Sequence, residues 1–143
     1  MRSIAVDAGP LVALGHTKAR DHQRVLSFVR RNTIPLVTNW IVLGEAAHIL
    51  GAHRVQQRKL LTWAHKALVI DEETTQDTQR IIDIMEKYAD LPADLADASL
   101  LALCERRGID HIATLDSDFE VYRTKSRKAL TNVLAQARGG PTP

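Results

Sequence analysis

Short apolar runs alternate with amphipathic stretches along this chain, and the alternation sets out a series of strands and helices. Residues 3–6 read as a short strand with Asp7 at its carboxyl end. GPLVALGH (9–16) suits a helix, since Pro10 falls in the first turn, where its missing N–H has no intrahelical partner. Residues 21–31 predict a second helix with Val25, Phe28 and Val29 on one side. Ile34–Val37 is a short β-branched run, and Thr38 or Asn39 can cap a helix over 39–51. A basic, polar helix over 54–66 leads into the apolar run Ala67–Ile70. Asp71 to Thr75 then supplies a turn and helix cap, and Ile81, Ile82, Met85 and Tyr88 recur at helical spacing. Pro92 opens a further helix that Gly108 closes. His111–Leu115 is the last clear strand, residues 129–134 add a terminal edge strand, and the Gly-Gly-Pro-Thr-Pro end reads as frayed.

Strands separated by helices predict an α/β fold, a parallel sheet with helices on its faces. No repeat or linker divides the 143 residues, so a single domain over 1–136 is expected, with 137–143 as a flexible tail. Hydrophobic residues make up 45% of the chain and charged residues 25%, which excludes a disordered, tail-rich protein. The opening segment lacks the basic-then-apolar layout of a secretory leader, and no apolar run approaches the roughly 20 residues that span a bilayer. A cytoplasmic location is therefore expected. The single Cys104 excludes an internal disulfide and a cysteine-built zinc site, and its place on LLALCERRG suits a packing thiol. A net charge of +2 permits nucleic-acid binding without arguing for it.

Candidate chemistry lies in carboxylates that interrupt the apolar pattern. Ligands in α/β folds collect beyond the carboxyl ends of the strands, and both Asp7 and Asp116 follow strands there. Glu45 shares its helical face with Ile41, Val42, His48, Ile49 and Ala52, mostly apolar company for an acid. Asp94 and Asp97 stand three apart on one helical face near its N-terminus, where the helix dipole favours negative charge. Asp97 also shares its side with Leu100, Leu101 and Cys104, so it is expected to point into the core. Capping remains an alternative for Asp7 and Asp94, and Asp118 either assists the site or only caps a turn. Asp21, His22 and Asp90 are expected to be solvated or capping, and Asp110 lies at the opposite sheet edge. Gathered carboxylates repel one another unless protonated or offset by a hard cation such as Mg²⁺ or Mn²⁺. Such a site polarises phosphoryl oxygens and activates water, which points to phosphodiester hydrolysis.

Four segments in order, VDAGPLVAL, VLGEAAHIL, ADASLLALCERRG and TLDSDF, resemble those of a PIN domain, and specifically a VapC-type toxin ribonuclease. The resemblance spans about residues 2–135. It implies a three-layer α/β/α sandwich with a parallel sheet of about five strands. Carried onto this chain, it implies that Asp7, Glu45, Asp97 and Asp116 are the catalytic, metal-holding quartet for Mg²⁺ or Mn²⁺. Asp94 would be an auxiliary carboxylate, and Thr114 a supporting hydroxyl. Cleavage by a metal-activated water would leave 5′-phosphate and 3′-hydroxyl ends. The resemblance further implies a homodimer and a cognate antitoxin partner, for which the helices at 39–51 and 54–66, bearing Trp40 and Trp63, offer a groove.

Lys18, Arg20 and Arg24, or Arg123, Lys125, Arg127 and Lys128, could meet RNA phosphates, or simply be solvated. Aromatic residues are only 4% of the chain, which favours a folded RNA read by shape over stacked single strand. Three other readings stay open: a housekeeping RNA-processing nuclease, an aspartyl-nucleophile phosphotransferase built on Asp7, and a non-catalytic module whose acids only cap helices.

Overall fold

The computed structural model describes residues 2–51, 53–91 and 93–135. Five parallel strands form one sheet in the order β3-β2-β1-β4-β5: β1 (Ile4–Val6), β2 (Leu36–Asn39), β3 (Val69–Asp71), β4 (His111–Ala113) and β5 (Thr131–Asn132). Six helices connect them: α1 (Ala8–Gly15), α2 (His22–Arg31), α3 (Trp40–Leu50), α4 (Arg54–Ala67), α5 (Thr78–Lys87) and α6 (Leu95–Arg107). The chain winds from β1 outward through β2 to β3, then returns past β1 to β4 and β5. Right-handed crossovers therefore put α1–α4 and α5–α6 on opposite faces, giving the expected three-layer sandwich. The reversal between β1 and β4 is the topological switch point, where adjacent loops part and leave a crevice at the carboxyl ends of the strands.

The core explains why the layers hold. β1 and β2 are buried along their whole length, as parallel strands covered on both faces must be. Every residue of α6 from Ala96 to Cys104 is buried, including Asp97 and Ser99. Neighbouring elements, α3 and α5 among them, pack against this helix and cover it within its layer. Cys104 is wholly buried, and desolvation pushes its thiol well above the ordinary range, as a packing residue requires. Gly108 ends α6 in the left-handed region at φ 66°, where glycine carries no Cβ penalty.

Several expected boundaries move, each for a local reason. The second strand begins at Leu36, not Ile34, because the Asn32 side chain bonds both the N–H and the C=O of Ile34 and turns the chain. Asn39, rather than Thr38, caps α3 by accepting from the Val42 N–H at 2.9 Å. Thr38 instead donates to the Val6 carbonyl at 3.0 Å, tying β2 to β1. Asp71 supplies the expected turn, its Oδ2 accepting from the Glu73 N–H at 3.2 Å, but it also ends β3, is buried, and receives Arg106 at 2.6 Å and Arg107 at 3.1 Å. α5 is preceded by the short 3-10 turn Thr74–Asp77. The last two strands are shorter than expected, and α6 starts with Asp94 as its cap, while Pro92 and the expected 137–143 tail lie outside the described residues. His22 is buried, not solvated, with its Nδ1 at 2.7 Å from the Ala13 carbonyl.

Candidate metal centre

Strand ends deliver the first two carboxylates. Asp7 follows β1 and caps α1, its Oδ1 accepting from the Ala8 N–H at 2.8 Å. Its own N–H donates to the Ala113 carbonyl at 3.0 Å, so the β1–β4 ladder fixes its backbone. Thr114, fully buried after β4, donates its hydroxyl to Asp7 Oδ2 at 2.7 Å and accepts from the Asp116 N–H at 3.0 Å. One hydroxyl thus links two acids that lie more than a hundred residues apart in the sequence. Asn132 holds Thr114 in turn, accepting from its N–H at 3.2 Å and donating to its C=O at 3.0 Å.

The third carboxylate arrives from the core. Asp97 lies in the first turn of α6 and is only 8% exposed. Asp94 caps that helix, with its Oδ1 accepting from the Asp97 N–H at 2.8 Å. Tyr122 donates its hydroxyl to Asp97 Oδ2 at 3.3 Å, and its ring stacks edge-on against Tyr88 and Phe119. Nothing in the local sequence around Tyr122 signals this contact. Asn39 and Ser99 further lock the approach of α3 to α6 through a 3.1 Å hydrogen bond.

Asp7, Asp97 and Asp116 each present a carboxylate oxygen, and these oxygens all lie within 4.8 Å of one another. Glu45, on α3, is half-buried and faces the group through Asp94 rather than joining the innermost three. Asp94 is itself exposed, and Asp118 serves Asp116 by donating its N–H to Oδ1 at 2.9 Å. Asp110, as expected, lies away from the cluster, beside His111 at the amino end of β4.

The electrostatics show what this arrangement lacks. Burial, then repulsion from Asp7, Asp94 and Asp116, pushes Asp97 up to about 8, although Tyr122 pulls against the rise. Desolvation likewise raises Asp7, partly offset by its bonds to Thr114 and Ala8. Partial burial and neighbouring Asp94, Asp7 and Asp116 push Glu45 to about 7. Among the described residues, no lysine or arginine forms an ion pair with any of these acids. A second acidic group behaves oppositely. Asp71, Glu73 and Asp77 all pair with Arg106, and despite burial that would raise it, Asp71 is held below its ordinary value by Arg106 and Arg107.

An all-oxygen donor set, converging and without an internal counter-charge, suits a hard divalent cation. The residues present therefore fit such an ion, with Asp7, Asp97 and Asp116 as its holders and Glu45 and Asp94 close by. Trp40 lines a depression with Ile82, Met85 and Leu95, and Trp63 lines another with Val55, Arg58 and Thr62 on α4. Among the described residues, no helix is long and apolar enough to cross a membrane.

A family model for the PIN domain matches residues 4–125. The fold is also similar to the crystal structure of VapC20 from Mycobacterium tuberculosis, described as a sarcin–ricin loop cleaving toxin. The TM-score is 0.68 at 18% sequence identity, over 82% of this chain and 93% of that one. A search of curated protein sequences finds no match.

Proposed function

The chain belongs to the PIN-domain family, and from that premise we propose that it is a divalent-metal-dependent endoribonuclease, the toxin of a type II toxin–antitoxin pair. The observation that carries this reading is the convergence of Asp7, Asp97 and Asp116 within 4.8 Å, with no ion-pairing lysine or arginine among the described residues. Mg²⁺ or Mn²⁺, when bound, supplies Lewis-acid stabilisation of phosphoryl oxygens and a water of lowered pKa. The chain's own residues supply the frame. Asp7 is held at both oxygens, by Ala8 and by the Thr114 hydroxyl, so its carboxylate cannot swing away from the crevice. Tyr122 orients Asp97, and the Asp118 N–H orients Asp116. Glu45, with a pKa near 7 before cation binding, is placed to take or return a proton at the edge of the site.

The similar toxin is described as cleaving the sarcin–ricin loop, which supports structured RNA as the substrate class here. Trp40, Ile82, Met85 and Leu95 are 57%, 43%, 37% and 49% exposed and line one shared depression. That apolar surface supports a homodimer in a cytoplasmic protein. The antitoxin partner rests on the family reading.

The test is incubation with total RNA under Mg²⁺, Mn²⁺ and chelator, with mapping of the cut ends. Cation-dependent cuts bearing 5′-phosphate and 3′-hydroxyl termini are expected, and D7N and D97N should both lose them while remaining folded. Cleavage that persists in either variant, or in chelator, overturns the assignment.

A further inference from the structure

A nuclease site built from carboxylates has a problem with its own substrate: the same negative charges that hold a cation repel the phosphates on either side of the scissile bond. Flanking phosphates therefore need cations of the protein placed at the rim, where they also fix the register of the strand. The structure contains a cavity of about 490 Å³ in which Thr114 and Asp116 form one wall and Arg20 and Arg24 another. Its volume falls within the usual range for small-ligand sites. Ser117 and Phe119 line it as well, as do the acids Asp21 and Glu120.

The two arginines differ in a way that suits them to different tasks. Arg24 is immobilised, donating from Nη2 to the Leu134 carbonyl at 2.5 Å and from Nη1 to Asp21 at 3.4 Å. It ties α2 to the segment after β5 and so builds the wall. Arg20 is exposed and pairs with no carboxylate among the described residues. An exposed guanidinium with no carboxylate partner among the described residues, lining the same polar cavity as Asp116, is a phosphate donor in waiting.

We propose that this cavity is a nucleotide subsite that receives the residue flanking the scissile phosphate, with Arg20 gripping the backbone phosphate of that nucleotide. The assignment rests on the ribonuclease reading and adds to it the side from which the strand enters. The strand runs from the carboxylate crevice over Asp116 and into the cavity between α2 and the 3-10 turn after β4.

The experiment measures binding of a fluorescein-labelled, mixed-sequence oligoribonucleotide in chelator, where cation-dependent cleavage is off, over a series of salt concentrations. The R20A variant should bind about tenfold more weakly, and its slope of log affinity against log salt should fall by about 0.7, the value for one lost single-strand phosphate contact. R20K should recover most of that slope. S117W fills the cavity without changing charge and should weaken binding comparably. K18A removes the same charge two residues away, outside the cavity, and should lose distinctly less. The Mn²⁺-induced rise in Tm should be the same in R20A as in the wild type, showing that the carboxylate site is intact. Wild-type affinity and slope in R20A, equal losses in K18A and R20A, or no effect of S117W each overturn the subsite. If in addition the wild type still cleaves RNA with a cation, only the subsite has failed. If the wild type neither binds nor cleaves RNA, the ribonuclease reading itself falls.

Discussion

Replacing Asp97 by Asn should make the cation-free protein more stable while abolishing its response to cations. Asp97 is 8% exposed and its pKa is raised from 3.8 to about 8, because burial and three neighbouring acids oppose its charge. A carboxyl whose folded pKa lies above its unfolded value holds its proton longer in the folded state. Its contribution to stability is then fully present below about pH 4 and is lost as pH rises towards 8. Near pH 7 the corresponding penalty is at most about 4 kcal/mol, and relaxation and water entry cut it to about 1–2 kcal/mol. Asn carries no charge and can still accept from the Tyr122 hydroxyl, so D97N escapes the penalty. For a chain of this size that is a gain in Tm of about 3–8 °C. The assay is thermal unfolding of both proteins from pH 5 to 8.5, in chelator and in excess Mn²⁺. In chelator the advantage of D97N should grow with pH. In Mn²⁺ the wild type should gain stability, most at high pH where its acids are ionised, and D97N should gain little. The reasoning fails if D97N is the less stable protein in chelator at pH 8, or if both respond equally to Mn²⁺.

Other expected outcomes follow from single contacts. T114V keeps the shape of a fully buried residue but strips Asp7 and the Asp116 N–H of their shared hydroxyl, at a cost of about 1–3 kcal/mol. Cleavage should fall at least tenfold and T114S should restore it, as kcat measurements on the three proteins would show. Y122F leaves the ring packing with Tyr88 and Phe119 but removes the hydroxyl on Asp97. A loss of severalfold in cleavage is expected, with a Tm within a few degrees of wild type. R106M deprives buried Asp71 and Asp77 of their main counter-charge, and should lower stability in denaturant titration by about 2–4 kcal/mol. The Mn²⁺-induced rise in Tm should survive in R106M.

What could be read from the sequence, and what could not, divides by range. Asp7 and Asp116 are legible because a parallel strand ending in an acid places that acid at the ligand-binding edge, and the structure puts both at the β1–β4 switch point. Asp97 is legible because helical spacing puts it beside Leu100, Leu101 and Cys104, which are all buried. Glu45 is legible only in part: it lies on the site side of α3, but its face also carries Ile49, which is exposed, and it meets the innermost acids through Asp94. The start of β2 was hidden by a local competition in which the Asn32 side chain captures Ile34, a bond that the β-branched pattern does not encode. Asp71 carries a turn-like local signature yet works as a partner to Arg106, and a pairing 35 residues apart leaves no trace in local spacing. Tyr122 and Asn132 escaped for the same reason, since their partners Asp97 and Thr114 are neighbours only once the sheet has formed.

Two acidic groups in one small protein make the central argument testable against itself. Asp71, Glu73 and Asp77 likewise bring three carboxylates together, here around the Arg106 guanidinium, and Asp71 is as buried as Asp7. Arg106, with Arg107, supplies their counter-charge from within the chain, and Asp71 stays ionised below its ordinary pKa. Asp7, Asp97 and Glu45 have no such partner among the described residues and are pushed upward instead. A gathering of three acids therefore does not by itself distinguish a stabilising network from a candidate cation site; their mutual convergence and the source of the opposing charge do. In the first group that source is a fixed side chain, whereas for the second the proposed function has the opposing charge brought from outside by a cation. A cation should accordingly protect the Asp7 group alone: Mn²⁺ should change the acid titration of Asp7, Asp97 and Glu45 and leave that of Asp71 where it was.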